Sequence, residues 1–289
     1  MQTFGERLSH ASDLNQSLLC VGLDPDPSLM PIADIFEFNR GIIDATKDLV
    51  CAYKPNLAFY DSFGEKGHKS LKRTLAHLRD VAPEIPVIAD AKRGDVQSTS
   101  IFHAKAMFQV WGFDAVTVNP YGGRDSVEPF LSYEDKGILI WCRSSNPGAG
   151  EIQDLRVVSV EGEQQPRPLY EWIAQRAREW NDAGNVGVVV GAPYPGELKR
   201  VRELCPDMPI LIPGVGAQRG PLELAVHNGV DRFARNAIIN VSRGIIYASN
   251  NAKDFDKAAR DVALDVREHI KGLVGFLGKP WSDLAPSPT

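Results

Sequence analysis

The stretch NVGVVVGA, residues 185–192, is a run of valines interrupted only by glycine. Continuous Val and Ile runs, unlike alternating apolar and polar residues, are typical of strands covered on both faces, as in parallel sheets. Seven further short apolar runs occur along the chain: SLLCVGL (17–23), CAYKPN (51–56), PVIADA (86–91), DAVTVNP (114–120), GILIWCR (137–143), PILIPGVG (209–216) and NAIINVS (236–242). We therefore predict eight strands of one parallel sheet.

Helical patterns separate these runs. Apolar residues recur at helical spacing in the segments 35–50, 67–81, 97–111, 125–134, 172–180 and 254–277. Strand–helix alternation over 289 residues, with no composition break that would mark a linker, predicts one (β/α)8 TIM barrel domain spanning 1–289. A doubly wound sheet is the alternative, but no G-x-G-x-x-G motif follows the first run. The polar end from about 279 is expected to be a poorly ordered tail.

Composition narrows the classes of function. The net charge of -5 and the pI near 5.7 disfavour a broad electropositive surface, so we expect no nucleic-acid partner. No apolar run approaches the ~18 residues of a membrane span, and the N-terminus lacks an apolar signal core, so we expect no membrane association. The chain has four cysteines, Cys20, Cys51, Cys142 and Cys205, and they form no C-x-x-C pair. Three of them lie inside apolar runs, where we expect buried free thiols, and a reducing cytoplasm fits.

Polar side chains collect at the carboxyl ends of the predicted strands. In a TIM barrel these ends form the active-site face, whereas scattered surface charge would not favour them. The residues in question are Asp24, Lys54, Asp90, Lys92, Asn119, Ser144, Ser145, Gln218 and Arg243.

The segment PVIADAKRGDV, residues 86–96, carries the densest charge. Asp90, Lys92 and Asp95 there form either a surface ion pair that follows a strand or an active site. Residues two apart on a strand face the same side, so Asp90 and Lys92 should share a pocket, while Asp95 lies beyond a turn. Lys54 on the neighbouring strand can approach Asp90. In such an alternating row each charged group has a neighbour of opposite charge, as a buried polar network requires.

A second constellation follows the last two strands. IPGVGAQRG (212–220) contains Gly214, Gly216 and Gln218, and NVSRGII (240–246) contains Arg243. Barrels frequently bind phosphate with the loops after strands seven and eight, where backbone N–H groups and an Arg fork act as donors. These residues therefore predict a phosphate site.

The motifs Asp90-x-Lys92-x-x-Asp95 and Lys54-Pro55-Asn56, together with SNPGAG and PGVGAQ, resemble those of the orotidine 5'-phosphate decarboxylase family. The similarity is to its longer bacterial-type branch and covers most of the chain. It implies conversion of orotidine 5'-monophosphate to UMP and CO2, the last step of de novo pyrimidine nucleotide synthesis, without metal or organic cofactor.

The resemblance also implies roles for single residues. The charged network of the family matches Lys54, Asp90, Lys92 and Asp95. Family members are homodimers in which the last Asp reaches the neighbouring site, so Asp95 and Thr99 would serve the partner subunit. The ribose contacts match Asp24 and Lys54, the residue that reads the pyrimidine matches Ser145, and the phosphate contacts match Gln218 and Arg243, beside Gly214 and Gly216.

Two other readings remain open. Metal-dependent sugar-phosphate decarboxylases or aldolases share the D-x-K-x-x-D motif, but they carry a magnesium-ligating Glu on the second strand, where this chain has Lys54. A catalytically inactive nucleotide-binding or sensor protein is the other reading, and the intact charged row argues against it. The segment 146–168 is expected to be either part of a lid or a passive surface loop.

Overall fold

Eight parallel strands form the centre of the computed structural model, which describes residues 2–158, 165–216, 220–278 and 281. The strands are β1 (Leu19–Leu23), β2 (Ala52–Pro55), β3 (Ile88–Arg93), β4 (Ala115–Val118), β5 (Gly137–Arg143), β6 (Val186–Val190), β7 (Ile210–Pro213) and β8 (Ala237–Val241). Their order is β2-β1-β8-β7-β6-β5-β4-β3. Two parallel bridges, Tyr53–Val87 and Asn56–Asp90, join β2 to β3 and bring the sheet round into a barrel. The predicted TIM barrel is confirmed.

Helices surround the strands. They are α1 (Phe4–Asn15), α2 (Ile35–Thr46), α3 (Leu57–Asp61), α4 (Gly64–Val81), α5 (Gln97–Lys105), α6 (Arg124–Leu131), α7 (Gly150–Gln153), α8 (Leu169–Glu179), α9 (Pro195–Leu204), α10 (Leu222–Gly229), α11 (Arg243–Ile246) and α12 (Phe255–Phe276). A π-helix, Ala106–Trp111, continues α5, and a 3-10 turn, Pro147–Ala149, precedes α7. Arg156–Val157 pairs antiparallel with Arg167–Pro168. Within the described ranges no helix has the length and apolarity needed to cross a membrane.

Helix α1, which the sequence patterns did not predict, closes one end of the barrel. A capping box between Thr3 and Glu6 starts this helix. Phe4 and Leu8 then bury among the inward-facing side chains of the strands. Phe4 lies so close to Gly137, at the start of β5, that a Cβ there would come within 2.4 Å of its ring. This contact places α1 against the amino ends of the strands, away from the charged residues.

All four cysteines are buried and free, which confirms the prediction for the three in apolar runs and extends it to Cys205. Cys20 and Cys51 pack inside the barrel, whereas Cys142 and Cys205 belong to the larger cluster between strands and helices. Burial raises the pKa of the Cys51 thiol to about 12, so this group stays protonated and unreactive. The predicted tail from about 279 lies outside the described residues except for Trp281.

Candidate active site

Strand β3 ends in a bulge that brings its charged residues to the barrel mouth. The pairing of β3 with β4 shifts register between Ala89 and Arg93. Lys92 has a φ of 45°, in the left-handed region that is unfavourable for a residue with a Cβ. The Thr117 hydroxyl on β4 accepts hydrogen bonds from the backbone N–H groups of Ala91 (3.0 Å) and Lys92 (2.9 Å) and thereby holds this conformation. Strained backbone of this kind is characteristic of functional sites.

Asp90 is the centre of the charged cluster. Its Oδ2 lies 3.0 Å from Lys54 Nζ, and its Oδ1 lies 2.5 Å from Lys92 Nζ. The Thr117 hydroxyl donates to Oδ1 at 3.1 Å, and the Asn56 amide donates to Oδ2 at 3.4 Å. Both carboxylate oxygens therefore have a cationic and a neutral donor. The predicted Lys54–Asp90–Lys92 row is confirmed as a set of contacts.

The two lysines differ in exposure. The Lys54 side chain is only 3% exposed, whereas that of Lys92 is 39% exposed and borders the open mouth. Burial opposes the charged form of Lys54, but the carboxylates of Asp90 and Asp24 outweigh burial and raise its pKa. Burial likewise opposes ionisation of Asp90, but Lys54 and Lys92 outweigh it and hold the pKa of Asp90 well below its usual value. Lys54 and Asp90 are thus both charged at neutral pH.

This arrangement predicts how the stability of the protein depends on pH. Asp90→Asn leaves Lys54 buried without its ionic partner, and we expect it to lower the free energy of unfolding at pH 7 by about 3 kcal/mol. Because the folded pKa of Asp90 is depressed, its contribution is fully present above the unfolded value near 3.8 and is lost as pH falls towards the folded value. Urea unfolding of both chains should therefore show a constant difference from pH 5 to 9 that shrinks below about pH 4.

The exposed Asp80 of α4 supplies the matched control, because Asp80→Asn removes a carboxylate that is not in the cluster. This variant should stay within about 0.5 kcal/mol of the unmodified chain at each pH. A difference for Asp90→Asn that starts to shrink already at pH 6 would contradict the depressed pKa of Asp90.

Asp24, which follows β1, also lines the mouth. Its Oδ1 accepts a hydrogen bond from the Asn56 backbone N–H at 3.2 Å, which ties the end of β1 to the end of β2. Asn56 thus contacts both Asp24 and Asp90. The sequence indicated the motif Lys54-Pro55-Asn56 but not this bridging role.

The segment after β5 carries Ser145 to the mouth, as predicted. Arg143, fully buried at the end of β5, anchors this segment by donating to Gln153 Oε1 (3.3 Å) and Asp154 Oδ2 (3.2 Å). Gln153 in turn accepts the Ser144 backbone N–H at 2.8 Å. These hydrogen bonds hold the helical turn of α7 against the segment that carries Ser144 and Ser145. Residues 159–164 of the segment 146–168, for which either a lid or a passive surface loop is expected, lie outside the described part of the chain.

The described residues of the predicted phosphate site follow β7 and β8, across the mouth from Asp90. Gly214 and Arg243 line it together with Ser242. Gly214 and Gly216 have φ values of 94° and 76°, which only glycine adopts readily, so this turn after β7 needs them. Arg243 begins α11 and is exposed. Gln218 lies outside the described residues.

Asp95 and Thr99 do not line the mouth of their own barrel, in agreement with the turn expected before Asp95. The Asp95 side chain is exposed and accepts the backbone N–H of Val96 at 2.6 Å. Thr99 lies in the first turn of α5 and is partly exposed. Exposed apolar side chains flank these two residues: Val96, Ile101 and Phe102.

Several residues of the mouth were not predicted. Trp141 of β5 lies with its ring centroid 5.9 Å from Lys92 Nζ, and Val189, Leu211 and Pro213 continue an apolar wall beside it. Such residues look like ordinary barrel interior in the sequence, and only the shape of the barrel places them at the site. Among the described residues, no three His, Cys, Asp or Glu side chains cluster closely enough to hold a metal ion.

Comparisons with known proteins agree with this geometry. The model of the orotidine 5'-phosphate decarboxylase / HUMPS family matches residues 17–258. Orotidine 5'-phosphate decarboxylase of Thermomicrobium roseum is 51% identical over 278 residues, 94% of this chain and 96% of that protein. The Cupriavidus necator protein of the same name is 48% identical over 93% of this chain and 97% of its own length. The solved structure of Leishmania donovani OMP decarboxylase matches with a TM-score of 0.81 at 36% identity, covering 94% of this chain and 99% of that one.

Proposed function

The chain belongs to the orotidine 5'-phosphate decarboxylase / HUMPS family and decarboxylates orotidine 5'-monophosphate to UMP, and we propose that the charged cluster around Asp90 carries out this reaction. The observation that carries the proposal is the paired contact of Asp90 with Lys54 and Lys92 at the barrel mouth. Its catalytic residues would be Lys92, Asp90 and Lys54, with Asp95 contributed by a second subunit.

The residues around the mouth suggest how the nucleotide lies. Arg243 and the backbone N–H groups near Gly214 and Gly216 bind the phosphate, together with Gln218. Asp24 and Lys54, at the ends of β1 and β2 next to β8, bind the ribose hydroxyl groups, and Ser145 binds the pyrimidine. This orientation directs the carboxylate-bearing carbon of the ring, C6, towards Lys92. Binding energy from the phosphate, which does not react, then helps to orient the reacting ring.

Lys92 stabilises the negative charge that develops on C6 during the reaction. When the bond between C6 and the carboxylate breaks, CO2 departs and the electron pair stays on C6, with no adjacent electron sink. The Lys92 ammonium stabilises that developing charge and then donates a proton to C6, which completes UMP. A charge that is already in place within a low-dielectric site is worth far more than the same charge in water.

Asp90 keeps this lysine in place. Its Oδ1 contact at 2.5 Å restrains the Lys92 ammonium, while Lys54 and Asn56 hold its other oxygen. Asp90 also brings negative charge close to the substrate carboxylate, which favours loss of that group as neutral CO2. Lys54 neutralises the negative charge of the Asp90 carboxylate, which would otherwise be buried with less compensation.

An ultraviolet assay tests the function directly. Loss of orotidine 5'-monophosphate should proceed at the same rate with and without EDTA, because Lys54 stands where a magnesium-ligating carboxylate would be needed. Binding of UMP without any turnover would favour an inactive nucleotide-binding protein instead. Turnover that EDTA abolishes would favour the metal-dependent sugar-phosphate branch. The free thiols fit a reducing cytoplasm as the place of action.

The homodimer is part of this proposal. Asp95 and Thr99 do not line their own mouth and are flanked by exposed apolar side chains, with Val96 64% and Phe102 71% exposed. An apolar surface beside two polar residues suits an interface between copies of this chain. Two-fold symmetry would then present Asp95 and Thr99 of each subunit to the site of the other.

Mixing two inactive variants tests the shared site. We expect Asp95→Ala and Lys92→Ala chains to be inactive separately and to regain activity when they are refolded together. In a mixed dimer one site combines Lys92 of one chain with the intact Asp95 of the other, so about a quarter of all sites are complete in a random mixture. Steady-state turnover of orotidine 5'-monophosphate measures the recovery.

A second pair provides the control. Lys92→Ala mixed with Asp90→Asn should stay inactive, because both changes affect the same half of each site. Mass spectrometry of the intact dimers would verify that mixed dimers form in both cases. Formation of mixed Asp95→Ala/Lys92→Ala dimers without activity would contradict the assignment of Asp95 to the partner's site.

A further inference from the structure

Tyr247 connects the segments that follow two neighbouring strands, β1 and β8, at the barrel mouth. It lies directly after α11, the short helix that Arg243 begins, and its N–H donates to the Arg243 carbonyl at 3.2 Å. Its hydroxyl donates to the backbone carbonyl of Asp24 at 2.7 Å and accepts the backbone N–H of Asp26 at 2.6 Å. One side chain thus bonds the peptide groups on both sides of Pro25.

Aromatic stacking holds the ring of Tyr247 in place. It stacks on Phe38 of α2 at a centroid distance of 5.8 Å and an angle of 13°, and Phe38 stacks in turn on Phe255 of α12. Burial raises the pKa of the Tyr247 hydroxyl to about 12, so the group keeps its proton and remains a donor at any physiological pH. The hydroxyl is therefore fixed in position and in protonation state.

The loop that Tyr247 holds is short and stiff. It contains Pro25 and Pro27, and Asp26 Oδ1 accepts both the N–H (2.9 Å) and the hydroxyl (2.7 Å) of Ser28. Such a loop moves as a unit, so its anchoring point decides where the Asp24 carboxylate lies. The Asp24 side chain is also held by its hydrogen bond from the Asn56 N–H at 3.2 Å.

We propose that Tyr247 is a positioning residue that sets the ribose-binding geometry of Asp24 and ties it to the Arg243 segment. The inference rests on the proposed function, in which Asp24 binds the ribose and Arg243 the phosphate. Tyr247 contacts neither group of the substrate. It acts by fixing the distance between two binding elements that come from the first and the last strand of the barrel.

Tyr247→Phe tests this role because it keeps the stacked ring and removes only the hydroxyl. We expect kcat/KM for orotidine 5'-monophosphate to fall about tenfold, the equivalent of one to two lost hydrogen bonds. The loss should lie in KM, with kcat within about twofold of the unmodified chain, since Lys92 and Asp90 are untouched. Tyr53→Phe is the matched control: its hydroxyl bonds Thr46 (2.8 Å) between β2 and α2, away from the mouth, and kcat/KM should not change.

The same substitution in an Asp24→Ala background separates positioning from general damage. If Tyr247 acts through Asp24, Tyr247→Phe should cause less than about a twofold further loss of kcat/KM there. A tenfold loss in both backgrounds, or no loss in either, would overturn the role of Tyr247 while leaving the proposed function standing. Absence of turnover by the unmodified chain would overturn the proposed function, and this inference with it.

Discussion

Lys92→Ala is expected to lower kcat for decarboxylation by at least about four orders of magnitude, because in the proposed mechanism Lys92 supplies both the preorganised charge and the proton. The fold should survive. Lys92 is 39% exposed, and Asp90 keeps its contact with Lys54 at 3.0 Å. We therefore expect the free energy of unfolding to change by no more than about 1 kcal/mol. Single-turnover assays with excess enzyme, alongside urea unfolding, measure both quantities.

Two further substitutions make this prediction specific. Lys92→Arg keeps the positive charge but offers a guanidinium that cannot give up a proton in proteins, so it should remain nearly as inactive as Lys92→Ala. Lys72→Ala, on the exposed face of α4, should leave kcat unchanged. Turnover by Lys92→Ala within tenfold of the unmodified chain would show that another group protonates C6.

The backbone at Lys92 adds an independent readout. Its φ of 45° is unfavourable for alanine as well as for lysine, whereas glycine adopts it freely. Lys92→Gly should therefore be more stable than Lys92→Ala by about 1 kcal/mol, although both are inactive. Equal stability of the two variants would mean that the strain is released elsewhere in the chain.

The strands could be predicted because a barrel interior demands continuous apolar runs. The run GILIWCR coincides with β5, Gly137–Arg143, since both faces of this strand are covered. Helix α1 was not predicted, because few apolar residues mark it. Only Phe4, Leu8 and Ala11 mark its apolar face, and the partners of Phe4 and Leu8 lie inside the barrel rather than in a neighbouring helix.

The site was predicted through its charges, whose local geometry differs from the expected one. A regular strand would point Asp90 and Lys92 to one side by simple alternation. The structure instead has a bulge at this point, and Lys92 meets Asp90 through a left-handed turn of the backbone. No glycine marks this turn, so its strain is invisible in the sequence. Thr117, which holds the bulge from β4, is for the same reason indistinguishable from any strand threonine.

The uncharged residues of the mouth contribute contacts that the sequence did not indicate. Trp141 has no charge that would attract notice, and Asn56 was noticed only as part of the motif Lys54-Pro55-Asn56, without its contacts to Asp24 and Asp90. The bridge between Asn56 and Asp90 is one of the two that join β2 to β3. Closure of the barrel and assembly of the charged cluster thus depend on the same contact, and this coupling could not be predicted from spacing.

Lys54→Met is expected to lower kcat by about a thousandfold, because removal of a preorganised charge from a buried site costs this much even when the reacting group remains. Methionine fills most of the space of the 3% exposed lysine stem, and Asp90 retains Lys92, Thr117 and Asn56 as partners. Stability should therefore fall by less than about 2 kcal/mol, less than for Asp90→Asn, which leaves a buried ammonium unpaired. The exposed Lys66→Met should change neither quantity. If Lys54→Met kept kcat within tenfold while losing stability, Lys54 would be structural, and the catalytic cluster would reduce to Asp90, Lys92 and the partner's Asp95.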